Sequence, residues 1–184
     1  MSKIVGISGS LRQGSLNTQL LKVCGGLLPA GATLEIASLR NVPLYDGDVE
    51  AKGIPAGVAR LKDRVAASDA LLLVSPEYNH TMPGVLKNAI DWMSRPGSDI
   101  GRVFKGRPVA LIGASPGQFG TARGQANWLP ALRAVTLRPY FEAAPFYLAR
   151  ADQAFDAEGA LKDPKSREFL QAFLAGFVEF IRKG

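Results

Sequence analysis

The segment Asp69-Ala70-Leu71-Leu72-Leu73-Val74-Ser75 constrains the fold more than any other stretch of the chain. Its apolar residues follow one another with no polar position between them. A strand with one wet face alternates apolar and polar residues, whereas a strand covered on both faces reads as one apolar run. Arg107 to Ala114 (RPVALIGA) has the same character. Two such strands need helices above and below them, hence a largely parallel sheet built through crossover connections.

The remaining elements fit that demand. Lys3 to Ser8 reads as a first strand and Thr33 to Ser38 as a second. Asn17 to Leu28 and Gly57 to Ser68 carry apolar residues at helical spacing. A helix is expected to open at Pro83, with Leu86, Ala89, Ile90 and Met93 on its buried face. Another is expected across Thr121 to Val135, kinked or broken at Pro130. Leu137 to Leu148 holds one strand or two short extended pieces, and Ser166 to Ile181 a final helix. Strands alternating with helices predict an α/β, three-layer sandwich: a five-stranded parallel sheet of order 2-1-3-4-5 with helices on both faces, as one domain over 1–184. In such sheets a ligand sits beyond the carboxyl ends of the strands at the topological switch point, here the loops after strands one, three and four.

Composition narrows the class. With 47% hydrophobic and 21% charged residues, the chain can bury a core and is not of disordered type. No stretch approaches the roughly 18 to 20 apolar residues that span a bilayer. Met1 to Gly6 runs into a strand without a signal-peptide core, so a cytoplasmic protein with no membrane association is expected. Cys24 is the only cysteine and cannot form an internal disulfide. It lies among Leu20, Leu21, Leu27 and Leu28 and reads as a small buried hydrophobe. The net charge of +6 is spread along the chain, without a basic tract or a nucleic-acid-binding signature. No nucleic-acid partner is expected; a positive field suits small anionic ligands.

The first loop, Ser8 to Asn17 (SGSLRQGSLN), is built to approach an anion. Gly9 and Gly14 permit close backbone approach, Ser10 and Ser15 add hydroxyls, and Arg12 adds a permanent planar cation. The following helix points its free N–H groups the same way. Gly9 and Gly14 have the spacing of a nucleotide-triphosphate loop, but Ser15-Leu16 follows instead of Lys-Ser/Thr. Gly6 to Gly9 does not supply the dinucleotide fingerprint. A metal-free cradle for a terminal monophosphate remains, against the plainer reading of a Gly/Ser turn with a helix cap.

Gly9-Ser10-Leu11-Arg12-x-x-Ser15-x-Asn17 resembles the phosphate loop of the NADPH-dependent FMN reductases, a family that includes bacterial quinone and chromate reductases. The resemblance extends to about Arg182. It implies a flavodoxin-like fold, non-covalent FMN and a homo-oligomer, dimer or tetramer. By this likeness Ser10, Arg12, Ser15, Leu16 and Asn17 would take the phosphate. Pro76-Glu77-Tyr78-Asn79 is similar to the family's second flavin motif, and Pro83 to Trp92 continues the likeness. In the third loop Ser115, Gly117 and Gly120 match, while Thr121 stands where a second glycine is common. Together these loops would cradle the isoalloxazine.

The resemblance thus implies an FMN-dependent oxidoreductase, passing hydride from NAD(P)H to a small-molecule electron acceptor by ping-pong turnover. Quinones, free flavins, chromate, and nitro or azo compounds are the candidate acceptors. No residue is expected to act as a catalytic nucleophile. His80, the only histidine, reads as a pocket-lining or subunit-contact residue, and Glu77 as loop structure or an interface bond. Arg123 reads either as a surface arginine or as an attractor of nucleotide phosphates. Phe104, Phe119, Tyr140, Phe141 and Phe146 are expected to pave an interface or complete the core. A flavodoxin-type electron carrier and a non-redox flavin-binding module remain as alternatives.

Overall fold

Crossover connections of the expected kind carry the chain through the computed structural model, which describes residues 1–184. In chain order come β1 (Ser2–Ser8), α1 (Leu16–Leu27), β2 (Ala32–Ala37), α2 (Gly47–Glu50), α3 (Ala56–Ala66), β3 (Ala70–Val74) and α4 (Gly84–Met93). After a 3-10 turn at Gly97–Asp99 come α5 (Ile100–Val103), β4 (Pro108–Ala114), α6 (Ala122–Ala126), α7 (Trp128–Ala134), β5 (Arg138–Pro139), β6 (Tyr147–Leu148) and α8 (Pro164–Arg182).

The sheet runs β2-β1-β3-β4-β5 and every pairing is parallel. The expected order is therefore present, with one difference in strand count. The fifth position holds two short pieces, since β5 pairs with Pro108 and Val109 and β6 with Gly113 and Ala114. Between them the chain leaves the sheet to bury Tyr140 and Phe146.

The apolar runs divide as the pleat requires. Leu72 and Val74 of β3 join Ile4, Ala110 and Ile112 beneath α1 and α8. Leu71 and Leu73 join Val5, Ile7 and Val109 on the other face, beneath α3, α4 and α7. Each fully buried leucine contributes about 1.5–3 kcal/mol, which is why the two central strands fix the layer order. Phe104, Tyr140 and Phe146 complete the core, whereas Phe119 and Phe141 stand exposed. Trp92 is buried, and its indole N–H donates to Pro43 O at 2.9 Å.

Three helix expectations are corrected. Pro83 is the N-cap of α4, with extended backbone, and Gly84 is the first helical residue. The expected helix over Thr121–Val135 is two helices, and the break falls at Asn127. Pro130 lies within the first turn of α7, where its missing N–H has no intrahelical acceptor to lose. The final helix begins two residues early because Asp163 caps it, accepting from Ser166 N at 3.0 Å.

Candidate functional site

The loops after β1, β3 and β4 meet beyond the carboxyl ends of these strands, and specific contacts join them in pairs. The first meets the second at Gly9, where a β-carbon would sit 2.9 Å from Pro76 Cδ and 3.0 Å from Pro83 Cγ. The first meets the third through Asn17. Its Nδ2 donates to Ala114 O at 2.8 Å and its Oδ1 accepts from Ala114 N at 2.9 Å. The second meets the third through Glu77, whose Oε2 accepts from Gly124 N at 2.8 Å. Trp128 Nε1, donating to Ser75 Oγ at 2.9 Å, adds a buried tie between β3's exit and α7.

Around the start of α1 the polar groups are arranged for an anion. Ser15 is the N-cap, and its hydroxyl accepts from Thr18 N. The N–H groups of Leu16 and Asn17 have no acceptor in the protein. Ser10 Oγ accepts from Arg12 N at 3.3 Å, folding the loop back on itself. The Arg12 side chain is exposed and has no acidic partner. Asn17 differs in detail from the sequence expectation. It lies in the first turn of α1, and both polar atoms of its buried amide are committed to Ala114, so only its backbone N–H is left for a ligand. Free N–H groups, hydroxyls and an unpaired guanidinium suit a phosphate monoester.

The second loop is a tight hairpin. Tyr78 and Thr81 exchange both backbone hydrogen bonds, at 3.1 and 3.0 Å, around Asn79 (φ 50°) and His80 (φ 62°). Positive φ at both central residues is the type I′ geometry, which asparagine tolerates well. Pro76 is buried at the base, while Tyr78 is half exposed and Asn79 and His80 are exposed. His80 Nδ1 lies 3.4 Å from Glu77 Oε1 and 3.0 Å from Arg123 Nη1. Glu77 thereby serves loop structure within this chain.

In the third loop Ser115 Oγ accepts from Gly117 N at 3.1 Å. Gly120 has φ +58°, and a β-carbon there would lie 2.9 Å from Tyr147 Cβ, so glycine is needed twice over. Thr121, the departure from the family pattern, is fully buried. Its side chain packs where Gly113 lacks a β-carbon, and its hydroxyl accepts from Gln125 Nε2 at 2.9 Å. The turn thus accepts threonine because β4 makes room beneath it.

Sequence reasoning overlooked Thr18, whose hydroxyl donates to Ser8 Oγ at 2.9 Å, and Arg40, whose Nη2 donates to Leu11 O at 2.8 Å. A signal for Arg40 was present: Ser38-Leu39-Arg40 repeats Ser10-Leu11-Arg12 at the end of the next strand.

A doubly wound sheet with a hydroxyl-rich anion cradle and two joined loops beside it suits a phosphate-bearing cofactor with a flat ring. The family comparison agrees: residues 2–147 match the NADPH-dependent FMN reductase model. An NAD(P)H-dependent FMN reductase of Pseudomonas aeruginosa is 44% identical over 181 residues, covering 98% of this chain and 96% of that protein. A 2-hydroxy-1,4-benzoquinone reductase of a Burkholderia species is 35% identical over 180 residues, covering 98% and 96%. The flavoenzyme NAD(P)H:(acceptor) oxidoreductase FerB of Paracoccus denitrificans superposes with a TM-score of 0.87 at 37% identity, covering 100% of this chain and 98% of that one. The chain belongs to the NADPH-dependent FMN reductase family, and so is an oxidoreductase with FMN as cofactor and NAD(P)H as co-substrate.

Proposed function

We propose that this chain holds FMN by its phosphate at Ser10, Arg12, Ser15 and the N–H groups of Leu16 and Asn17. The ring would lie between Pro76–Asn79 and Ser115–Gly120, and the enzyme would reduce quinones or other small acceptors in ping-pong order. When bound, FMN supplies the two-electron chemistry that no side chain here can provide. The protein's own work is binding and orientation. Arg12 and the start of α1 balance the phosphate charge, and Glu77 holds the second loop against α6. Exposed Tyr78 and Phe119 offer flat apolar surface for the ring or for an incoming substrate. One open crevice would serve donor and acceptor in turn. The same exposed aromatics are the basis for proposing a homo-oligomer in which a second copy covers part of the crevice.

The observation carrying this reading is the donor cluster at the start of α1, with Arg12 free of any carboxylate partner, fixed against two further loops. The decisive experiment is release and identification of the chromophore, followed by anaerobic addition of NADPH and then a quinone. Rapid bleaching and reoxidation are expected. Bleaching that needs a separate reductase would indicate an electron carrier. Colourless protein that takes up no added FMN would end the proposal.

A further inference from the structure

We infer that a second phosphate seat lies on the β2 side of the first loop, and that it takes the 2′-phosphate of the NADPH donor. This rests on the proposed function, in which the first loop itself is filled by FMN. β1 and β2 leave the sheet in register, Ile7 opposite Ala37. Each then makes the same turn. Arg12 N donates to Ser10 Oγ, and Arg40 N donates to Ser38 Oγ, both at 3.3 Å. The two Ser-Leu-Arg turns stand side by side and enclose a cavity of about 190 Å³.

The chemistry of that cavity is one-sided. Ser8, Ser10, Arg12, Thr18, Ser38 and Arg40 line it, and no acidic residue does; Ser10 and Arg12 are shared with the FMN phosphate, so Arg40, Ser38 and Thr18 are the groups left to the second seat. Neither arginine has a carboxylate partner. Arg40 donates to Leu11 O and keeps its other guanidinium N–H groups for a ligand. Leu39 is buried below and anchors the turn. A cavity of this volume has room for a phosphate monoester.

Chemistry selects the ligand. The end of β2 holds Ser38-Leu39-Arg40-Asn41, with cation and hydroxyl and no acid, which suits a phosphate monoester. FMN's own monoester is placed on the first loop by the proposed function, and the one other monoester among the reactants is the 2′-phosphate of NADPH, at the far end of the donor from its nicotinamide. A free phosphate would satisfy the same groups, so the test must separate the two sources.

The test uses FMN-saturated protein in phosphate-free buffer, so that the first loop is occupied. Ser38→Asp keeps an acceptor for Arg40 N but places a negative charge in the cavity; Ser38→Asn keeps the turn without the charge. Arg40→Gln removes the cation. Calorimetry with 2′-AMP and with inorganic phosphate measures the seat directly, and KM for NADPH and NADH measures its use. Expected are 2′-AMP binding weakened about tenfold or more by Ser38→Asp and Arg40→Gln, little change in Ser38→Asn, and a KM ratio (NADPH over NADH) raised by a similar factor. Inorganic phosphate binding as tightly as 2′-AMP, with the ratio unmoved, would overturn the donor assignment. So would folded, yellow Ser38→Asp and Arg40→Gln proteins that bind both anions like the wild type. Calorimetry needs no turnover, so a failed reductase reading would appear separately, as absent NADPH oxidation with 2′-AMP binding intact.

Discussion

Replacing Asn17 tests how the cofactor loops are held. Its amide closes a two-bond ring with the N–H and C=O of Ala114, and the two residues are 4% and 2% exposed. Asn17→Ala removes both partners and strands a buried donor and a buried acceptor. At about 1–3 kcal/mol for each group left unsatisfied, and allowing for water entering the space, the loss is about 3 kcal/mol. For a chain of this length that lowers Tm by about 6–12 °C. Asn17→Asp separates charge from shape. At neutral pH one carboxylate oxygen can still accept from Ala114 N, but the other faces Ala114 O and repels it. Protonation restores the missing donor, so the fold raises this carboxyl's pKa. The stability linked to the protonated form is full below the unfolded value of about 3.9 and is lost as pH rises through the folded value. The gap to wild type therefore narrows as pH falls from about 7 to about 4.5. Urea unfolding without added flavin, across that range, measures both effects. An Asn17→Ala loss under about 0.5 kcal/mol, or an Asn17→Asp gap that ignores pH, would refute the reasoning.

Three further outcomes are expected. Buried Lys62 pairs with Asp99 at 2.7 Å, and hydrogen bonds from Arg102 and then Lys62 hold the Asp99 carboxyl well below the usual range. Asp99→Asn costs about 2 kcal/mol at pH 7, discounted because the Asp99 side chain keeps 24% exposure. Because a depressed carboxyl stabilises above its unfolded pKa, that cost shrinks as pH falls below about 4 in urea titrations. Burial pushes the Cys24 thiol up to about 12, so it should resist a thiol reagent at about pH 8 until the protein unfolds. Labelling as fast as free cysteine would contradict its placement. Gly120→Ala meets both a left-handed backbone and Tyr147, and FMN affinity should fall at least about tenfold in a fluorescence titration while the far-UV spectrum is retained.

The sheet was legible in the sequence because uninterrupted apolar runs admit few alternatives, and Leu71 to Val74 lie buried where that logic puts them. The loops were legible because the sheet's topology says which strand ends converge. What stayed hidden depends on distant contacts. Nothing local shows that Asn17 spends its amide on a residue 97 positions away, or that Thr121 fits because Gly113 leaves room. For the fifth strand the sequence left one strand or two short pieces open, and the buried Tyr140 and Phe146, which draw the chain inward between the pieces, decide for two. The break at Asn127 was missed because Pro130 looked like the stronger signal, although a proline in a helix's first turn disrupts nothing.

The interrupted rim at β5 and β6 has a consequence for how copies of this chain can meet. A foreign strand seeking to extend the sheet there finds two footholds of two residues each, one of them containing Pro139. Neither offers the continuous row of free amides that templated polymerisation requires, so this rim is closed to an added strand and the six-residue β2 is the sheet's one continuous edge.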